Sequence, residues 1–475
     1  MEPAVGAIVL AAGLGTRMRS ARAKVLHELG GEPMIARVMR ALAPLAPAPL
    51  VMVVGHQGDE VAAVARTFAA EGDVAAARQP AQRGTGDAAR CGLEAFAPGF
   101  DGDVLILYGD MPMIGPATLA AFIAGHRNAR AEVSFISAMM DAPGAYGRVI
   151  RDRAGVVTAI VEARDASPAE LAIREVNTGV YLARAAVLRG ALAQLRPENA
   201  QGEYYLTDLV AIARRSRLAV QAWRAPDAAE FAGINSLKEL AAMEAEIRAA
   251  VNRRLMEAGV TLVDPATVYI GEQVEIGRDS VVGPNVQILG RSKVGEGVRI
   301  EGTAYLRDVE IGAGCHLKIG VRAEECRIGP HCEIGPFANL RTGTELEGHN
   351  RIGNFVETKK ARLGHGTKAS HLSYLGDTVI GRETNIGCGV ITVNYDGYDK
   401  HLTQIGSRCM IGCDTQLVAP VKLGDDVYVA SGTTILREVP DGALCVSQHP
   451  QKVRPGWTVE WRRRHGSRAE TDGSD

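Results

Sequence analysis

Two stretches of this 475-residue chain carry side chains whose types and spacing suit chemistry. Near the N-terminus, Leu10-Ala-Ala-Gly13-Leu-Gly15-Thr-Arg17-Met18 ends an apolar run in a glycine-rich turn, whose backbone N–H groups can cradle phosphates. Taken alone, two such glycines also describe an ordinary strand-to-helix turn. A dinucleotide fold asks for a third glycine near Met18 and an acidic residue closing the second strand. That strand ends in Gly55-His56, which argues against NAD. Arg17 lies in the loop, Lys24 follows, and Tyr108-Gly109-Asp110 closes another apolar run. A carboxylate at a strand's carboxyl end can hold Mg²⁺, which triphosphate chemistry uses against developing charge, although a lone Asp there also serves as a helix cap. Far downstream, Asn354 to Lys360 and Lys368 to Asp377 are polar, and His371 lies among them. An imidazole can take a proton from an amine near neutral pH, while a single histidine equally describes a surface or interface residue.

The elements that must position these groups follow two periods. Over 1–232, short β-rich runs (Ala7 to Leu10, Leu50 to Val54, Val104 to Leu107, Val133 to Ile136) alternate with Ala-rich stretches. The pattern predicts an α/β domain with a mostly parallel sheet, its ligands at the carboxyl ends of the strands. Over 233–259 apolar residues at helical spacing (Leu237, Leu240, Met243, Ile247, Val251, Leu255) predict a linker helix, with Ser236 and Glu239 as capping box and Gly259 as C-cap. From 260 to 450 the period becomes six: Ile270, Ile276, Val282, Ile288, Val294, Ile300 and Leu306, a slip by one, then Ile311, Leu317, Ile328, Ile334, Leu340, Leu346 and Ile352. Leu363, Leu375, Ile380 and Ile386 continue it, and Ile405, Ile411, Leu417, Leu423, Val429 and Ile435 end it. Such a repeat predicts a parallel β-helix, one short strand and turn per hexapeptide, with Gly or a small residue at the turn. The polar tail 451–475 is expected to be disordered.

Composition limits the partners. Lys+Arg 53 against Asp+Glu 55 gives a net charge of -2, so neither nucleic acid nor an anionic membrane is an expected partner. The eight cysteines include no C-x-x-C pair and no zinc spacing, which suits reduced thiols in a cytoplasmic protein. No stretch reaches the ~18 apolar residues of a membrane span.

The run from Leu10 to Met18 with its downstream Lys resembles the sugar-phosphate nucleotidyltransferases. The match extends to Gln79, Gly84-Thr85-Gly86, Tyr108-Gly109-Asp110, Tyr146-Gly147-Arg148, Glu162, Asn177-Thr178-Gly179 and Gly233-Ile-Asn235. The repeats resemble the hexapeptide family of left-handed β-helices, whose members usually trimerise. Together, along essentially the whole chain, they resemble the family of bifunctional N-acetylglucosamine-1-phosphate uridyltransferase/glucosamine-1-phosphate acetyltransferases.

This resemblance implies a Rossmann-like nucleotidyltransferase head, a left-handed β-helix and a homotrimer. Leu10, Ala11, Ala12, Gly13, Gln79, Gly84 and Thr85 would bind UTP, with Tyr108 and Gly109 in the same site, while Gly147, Glu162 and Asn177 would hold N-acetylglucosamine 1-phosphate. Asp110 and Asn235 would hold Mg²⁺, with Arg17 and Lys24 neutralising the triphosphate. Ala23 stands where the family commonly has Pro. In the β-helix, His371 would be the base that activates glucosamine 1-phosphate toward acetyl-CoA, oriented by Glu357. Arg341 and Lys359 would clamp the sugar phosphate, Tyr374 and Asn385 would touch the sugar, and Asn394 and Tyr395 would meet the acetyl donor. Cys388, Cys413, Ser431 and Gln448, where Ala, Ser, Ala and Arg are usual, are further expected acetyl-CoA contacts. Alternative readings are a nucleotidyltransferase whose β-helix only trimerises or regulates, a zinc-dependent β-helix hydratase using His331, His365 and His371, and a scaffold with a decayed head.

Overall fold

The computed structural model describes residues 3–13, 15–68, 74–447 and 451–465. The chain divides into two compact units, Met1–Arg248 and Ala249–Asp475. The division falls inside the helix Leu237–Glu257, within the segment expected to link the halves. Its first turn is capped reciprocally. The Ser236 hydroxyl accepts from the Glu239 N–H at 3.2 Å, and the Glu239 carboxylate accepts from the Asn235 N–H at 2.6 Å, one residue earlier than in the usual box. Gly259, at φ +92°, turns the chain out of the helix.

The first unit is a nine-stranded sheet. Its strands are β1 (Val5–Ala11), β2 (Leu50–Val54), β3 (Val74–Arg78), β4 (Asp103–Tyr108), β5 (Val133–Met139), β6 (Arg148–Arg151), β7 (Val157–Val161), β8 (Glu175–Arg184) and β9 (Val220–Arg224). The order is β9-β5-β8-β4-β1-β2-β3, with β6 on β8 and β7 on β6. Pairings among β4, β1, β2 and β3 are parallel, and β8 runs antiparallel between β4 and β5. Alternation along β1 divides the interior into two cores. Ala7, Val9 and Ala11 face one cluster with Phe122 and Phe231, and Ile8, Leu10 and Ala12 face the other with Phe135 and Tyr181. A central strand buried on both faces needs this continuous apolar run.

The second unit is a parallel β-helix with three short strands per coil, so each strand pairs with the third before it. Ile270 stands level with Ile288 and then Leu306, and Val294 with Ile311 and then Ile328. All the aliphatic positions of the six-residue repeat are buried, and the slip before Ile311 shortens a turn without removing a residue from the axis. The turns use left-handed backbone at six-residue intervals, at Asp279, Asn285, Gly297 and Thr303 and also at bulky His331, Phe337, His349 and Phe355.

The glycine that follows many aliphatic residues therefore has another cause than turn conformation. A Cβ on Gly283 would lie 1.9 Å from the Glu301 carbonyl oxygen of the next coil, and one on Gly277 would lie 2.6 Å from the Glu296 nitrogen. Close stacking of coil on coil excludes a side chain there. Gly283→Ala is expected to destabilise this unit by about 1–3 kcal/mol, read as a lower denaturant midpoint at unchanged slope.

One expectation is corrected. The tail predicted to lack regular structure forms a helix over Trp457–His465. Ring contacts at helical spacing, Trp457 with Trp461 and Trp461 with His465, and an Arg464–Glu460 pair stabilise it locally. No helix is long and apolar enough to cross a membrane among the described residues.

Candidate functional site

In the first unit two adjoining cavities open at the carboxyl ends of β1, β3 and β4. One, of about 240 Å³, is lined by Leu10, Ala11, Ala12, Gly13, Lys24, Gln79, Gly84, Thr85, Tyr108 and Asp110, together with Gln82 and Glu203. The other, of about 380 Å³, is lined by Arg17, Tyr108, Asp110, Tyr146, Gly147, Glu162, Asn177 and Asn235 among others. Tyr108 and Asp110 belong to both, so the carboxylate sits where the contents of the two would meet. Of the expected residues only Gly109 lines neither. Its N–H donates to the Leu10 carbonyl at 2.9 Å, tying the end of β4 to β1.

Packing shapes the glycine loop. Gly15 takes φ +60°, and a Cβ there would lie 2.8 Å from Cβ of Lys24, so this glycine lets the lysine stem cross the loop. The Lys24 ammonium pairs with the Asp110 carboxylate and donates to Asn235 Oδ1 at 3.1 Å. The Ile234 N–H donates to the Asp110 carbonyl at 3.1 Å, which brings residue 235 beside residue 110 across 125 positions of sequence. Two oxygen donors, one anionic, thus converge on a single cationic group. Such a set suits Mg²⁺, which takes one or two protein oxygens and completes its shell with phosphate and water.

Gly84 takes φ +107°, and a Cβ there would lie 2.6 Å from the Tyr204 carbonyl oxygen. Gln79 donates its amide to the Gly84 carbonyl at 3.2 Å and to the buried Asp87 carboxylate at 2.9 Å. A carboxylate only accepts, so Asp87 fixes which way the amide faces. Sequence reasoning missed Asp87 because an acid in the first turn of the helix Thr85–Glu94 reads as an ordinary dipole partner. In the second cavity the Asn177 side chain accepts from the Gly179 N–H at 3.1 Å, and Thr207 donates to Glu162 at 3.1 Å. Burial holds the Glu162 carboxyl above its ordinary range despite that hydrogen bond.

In the β-helix the expected residues lie on neighbouring coils. The long strands Arg351–Leu363 and Lys368–Ile380 run in register, with Asn354 level with His371, Glu357 with Tyr374 and Lys359 with Gly376. Gly376 has no room for a Cβ, which would lie 2.4 Å from the Tyr374 hydroxyl, so the ring can lie across it. Arg341 follows the strand Asn339–Leu340, whose pairing with Glu357 and Thr358 puts the guanidinium beside Lys359. Glu357 does not orient His371 as expected. Its carboxylate takes hydrogen bonds from Arg341 at 2.7 Å and Asn339 at 3.3 Å, because it stands level with Tyr374 and three residues along the coil from the histidine's row. The Arg341 guanidinium pKa is raised by this pairing.

A cation that sequence reasoning missed completes the cluster. Lys400 returns from the Asn394–His401 loop through a bridge to Tyr395, and its ammonium depresses the Lys359 pKa, with Arg341 adding to the effect. Three cations crowded at an exposed place favour an anion there. Asn394 is buried and donates to Asp377 at 2.5 Å, whereas Tyr395 is exposed. Asn385 and Cys388 lie on one coil and Cys413 on the next, with Ser431 on the one after. Gln448 lies outside the described residues. His331, His349 and His365 pack in a row with tilted rings, centroids 5.0 and 4.9 Å apart, so His331 and His365 stand in a different row from His371. No group of three or more His, Cys, Asp or Glu side chains that could hold a metal occurs among the described residues.

Comparison with known proteins agrees with this division. Residues 7–206 match the MobA-like NTP transferase domain, 265–338 the GMPPB C-terminal domain, and 402–437 the bacterial transferase hexapeptide (six repeats). The chain is 46% identical over 460 residues to the bifunctional protein GlmU of Pelobacter propionicus, covering 97% of this chain and 99% of that one. It is 44% identical over 464 residues to that of Mycobacterium sp. strain KMS, covering 97% and 92%. Both units, the parallel-sheet head and the left-handed hexapeptide β-helix, fall within these end-to-end sequence matches, and the chain belongs to the bifunctional GlmU family.

Proposed function

We propose an assignment of residues to the two activities that membership of this family gives the chain: acetyl transfer to glucosamine 1-phosphate and uridylyl transfer to N-acetylglucosamine 1-phosphate, the two steps that make UDP-N-acetylglucosamine. The observation that carries the uridylyl assignment is the pair of cavities meeting at Asp110. UTP occupies the cavity of Gln79, Gly84 and Thr85, its phosphates against the Leu10–Gly13 turn. N-acetylglucosamine 1-phosphate occupies the other, beside Gly147, Glu162 and Asn177. Asp110 and Asn235 would hold Mg²⁺, which when bound offsets charge on the triphosphate. Lys24 and Arg17 line the route between the cavities, and Lys24 neutralises charge as the sugar phosphate oxygen attacks the α-phosphorus and pyrophosphate leaves. Positioning and electrostatics supply the catalysis, and no covalent intermediate is required.

Base recognition follows from the Gln79 geometry. With its amide N–H groups held by Asp87 and Gly84, the amide oxygen turns away to accept from a donor such as uracil N3–H, which cytosine lacks. Asp87→Ala is therefore expected to raise the KM for UTP about tenfold and to narrow the preference for UTP over CTP, the equivalent of one hydrogen bond. Equal loss with both nucleotides would remove the orienting role.

In the β-helix the Arg341, Lys359 and Lys400 cluster takes the phosphate of glucosamine 1-phosphate, with Tyr374 and Asn385 against the sugar. His371 withdraws the amine proton as the nitrogen attacks the acetyl carbonyl of acetyl-CoA, whose thiolate leaves. The donor lies along Cys388, Cys413 and Ser431, with Asn394 and Tyr395 beside it. An exposed apolar row on successive coils, Ile319, Phe337, Phe355 and Leu372, supports assembly through this unit into a homotrimer. The net charge and the absence of any membrane-length apolar helix among the described residues support a cytoplasmic setting.

The deciding experiment supplies glucosamine 1-phosphate with acetyl-CoA and follows free thiol, then adds UTP and follows pyrophosphate. Both products are expected in that order. Pyrophosphate from N-acetylglucosamine 1-phosphate without thiol release would leave the β-helix a structural role.

A further inference from the structure

Cys388 and Cys413 are exposed, whereas the other six cysteines are buried or half-buried. They lie on adjacent coils in strict register. Asn385 pairs with Met410 and Ile386 with Ile411, the Gly387 N–H donates to the Ile411 carbonyl at 2.8 Å, and the Asp414 N–H donates to the Cys388 carbonyl at 2.7 Å. The two thiols therefore project from equivalent turn positions, each just before a left-handed residue, Gly389 or Asp414. The row extends both ways. The Gly432 N–H donates to the Cys413 carbonyl at 2.8 Å, making Ser431 the next member. Tyr374 is level with Ile391, which puts His371 level with Cys388. Adjacent coils lie about 4.8 Å apart, the spacing of hydrogen-bonded strands. That falls within the roughly 4.4–6.8 Å between Cα atoms that a disulfide spans.

We propose that Cys388 and Cys413 form a dithiol site that captures low-molecular-weight disulfides and closes into a cross-coil disulfide. The reacting species is a thiolate, and His371, one coil away, is placed to take the first proton from Cys388. The thiolate attacks one sulfur of the incoming disulfide, that S–S bond breaks, and one small thiol leaves with a proton. The second cysteine thiolate then attacks the protein-bound sulfur and expels the other small thiol. In balance, two protein thiols are oxidised to one disulfide and one small disulfide is reduced to two thiols. Because the row runs from the base along the surface assigned to the acetyl donor, closure removes that surface from use. This consequence rests on the acetyl-transfer assignment; the dithiol does not.

The test uses the full chain, reduced and then exposed to glutathione disulfide as probe, with intact mass and peptide mapping as readout. The wild type is expected to lose two hydrogens and to yield one cross-linked peptide pair carrying Cys388 and Cys413. Cys413→Ser is expected to stop at a single glutathione adduct on Cys388, and Cys388→Ser at one on Cys413. In the oxidised wild type acetyl transfer is lost and returns with dithiothreitol, while pyrophosphate release is unaffected. Cysteines that remain open to alkylation, or a stable glutathione on each without a cross-link, overturn the proposal. A cross-link that forms with acetyl transfer intact supports the dithiol and overturns the placement of the donor on this row.

Discussion

Replacing His371 by alanine is expected to lower acetyl transfer by about 10²–10⁴-fold, the usual contribution of a positioned general base. Pyrophosphate release from UTP and N-acetylglucosamine 1-phosphate should stay at the wild-type rate. His371 suits the role by place as well as by residue type. His371 is exposed on the strand Lys368–Ile380, in a row that continues through Cys388 and Cys413, one coil from the strand that carries Lys359 and two from Arg341, cations that would fix the sugar phosphate together with Lys400. Under the proposed assignment an amine and a thioester would meet at this imidazole. Thiol release from acetyl-CoA is the measurement, with the second activity as internal control for folding of the chain. If His371→Ala retains more than about a tenth of its acetyl transfer, the base lies elsewhere, because a tenfold loss is within reach of positioning alone.

Asp110→Ala carries the second large effect. It removes the one anionic donor from the point where Lys24 and Asn235 converge, and it leaves the lysine charge without its partner inside a partly buried site. Loss of one such charge-organising group costs about 10²–10³-fold in turnover. Pyrophosphate release should fall by at least that much, with the Mg²⁺ concentration for half-maximal rate shifted upward, and thiol release should be unchanged. Retention of the wild-type magnesium dependence by Asp110→Ala would sink the assignment of this carboxylate.

Much of this was legible in the chain because two periods announce themselves. The hexad phase from Ile270 to Ile435 survives its slip, since every coil needs an aliphatic side chain at the axis and tolerates a short turn. The head's charged groups were legible from motif order, not from spacing, since Lys24, Asp110 and Asn235 meet only through the sheet. What escaped has specific causes. Glu357 was paired with the wrong partner because residues three apart on a coil belong to different rows, and only the register with Tyr374 shows this. Lys400 was hidden in a loop with no period. The helix Trp457–His465 was hidden by polar composition, although its rings recur every fourth residue. A glycine or small residue at the turn is legible from the repeat, whereas its cause, the nearness of the next coil's backbone, is visible only in the structure.

The row from His371 through Cys388 and Cys413 to Ser431 has a fixed pitch, because each step is one layer of backbone hydrogen bonds. Three layers amount to roughly 14 Å. The β-helix thus acts as a ruler engraved on its own surface: a long, thin ligand laid along the row is graduated in whole coils, and shortening or lengthening it by less than one layer moves its reactive end off the mark. Insertion of a complete coil would preserve the fold and yet put the base one graduation too far away.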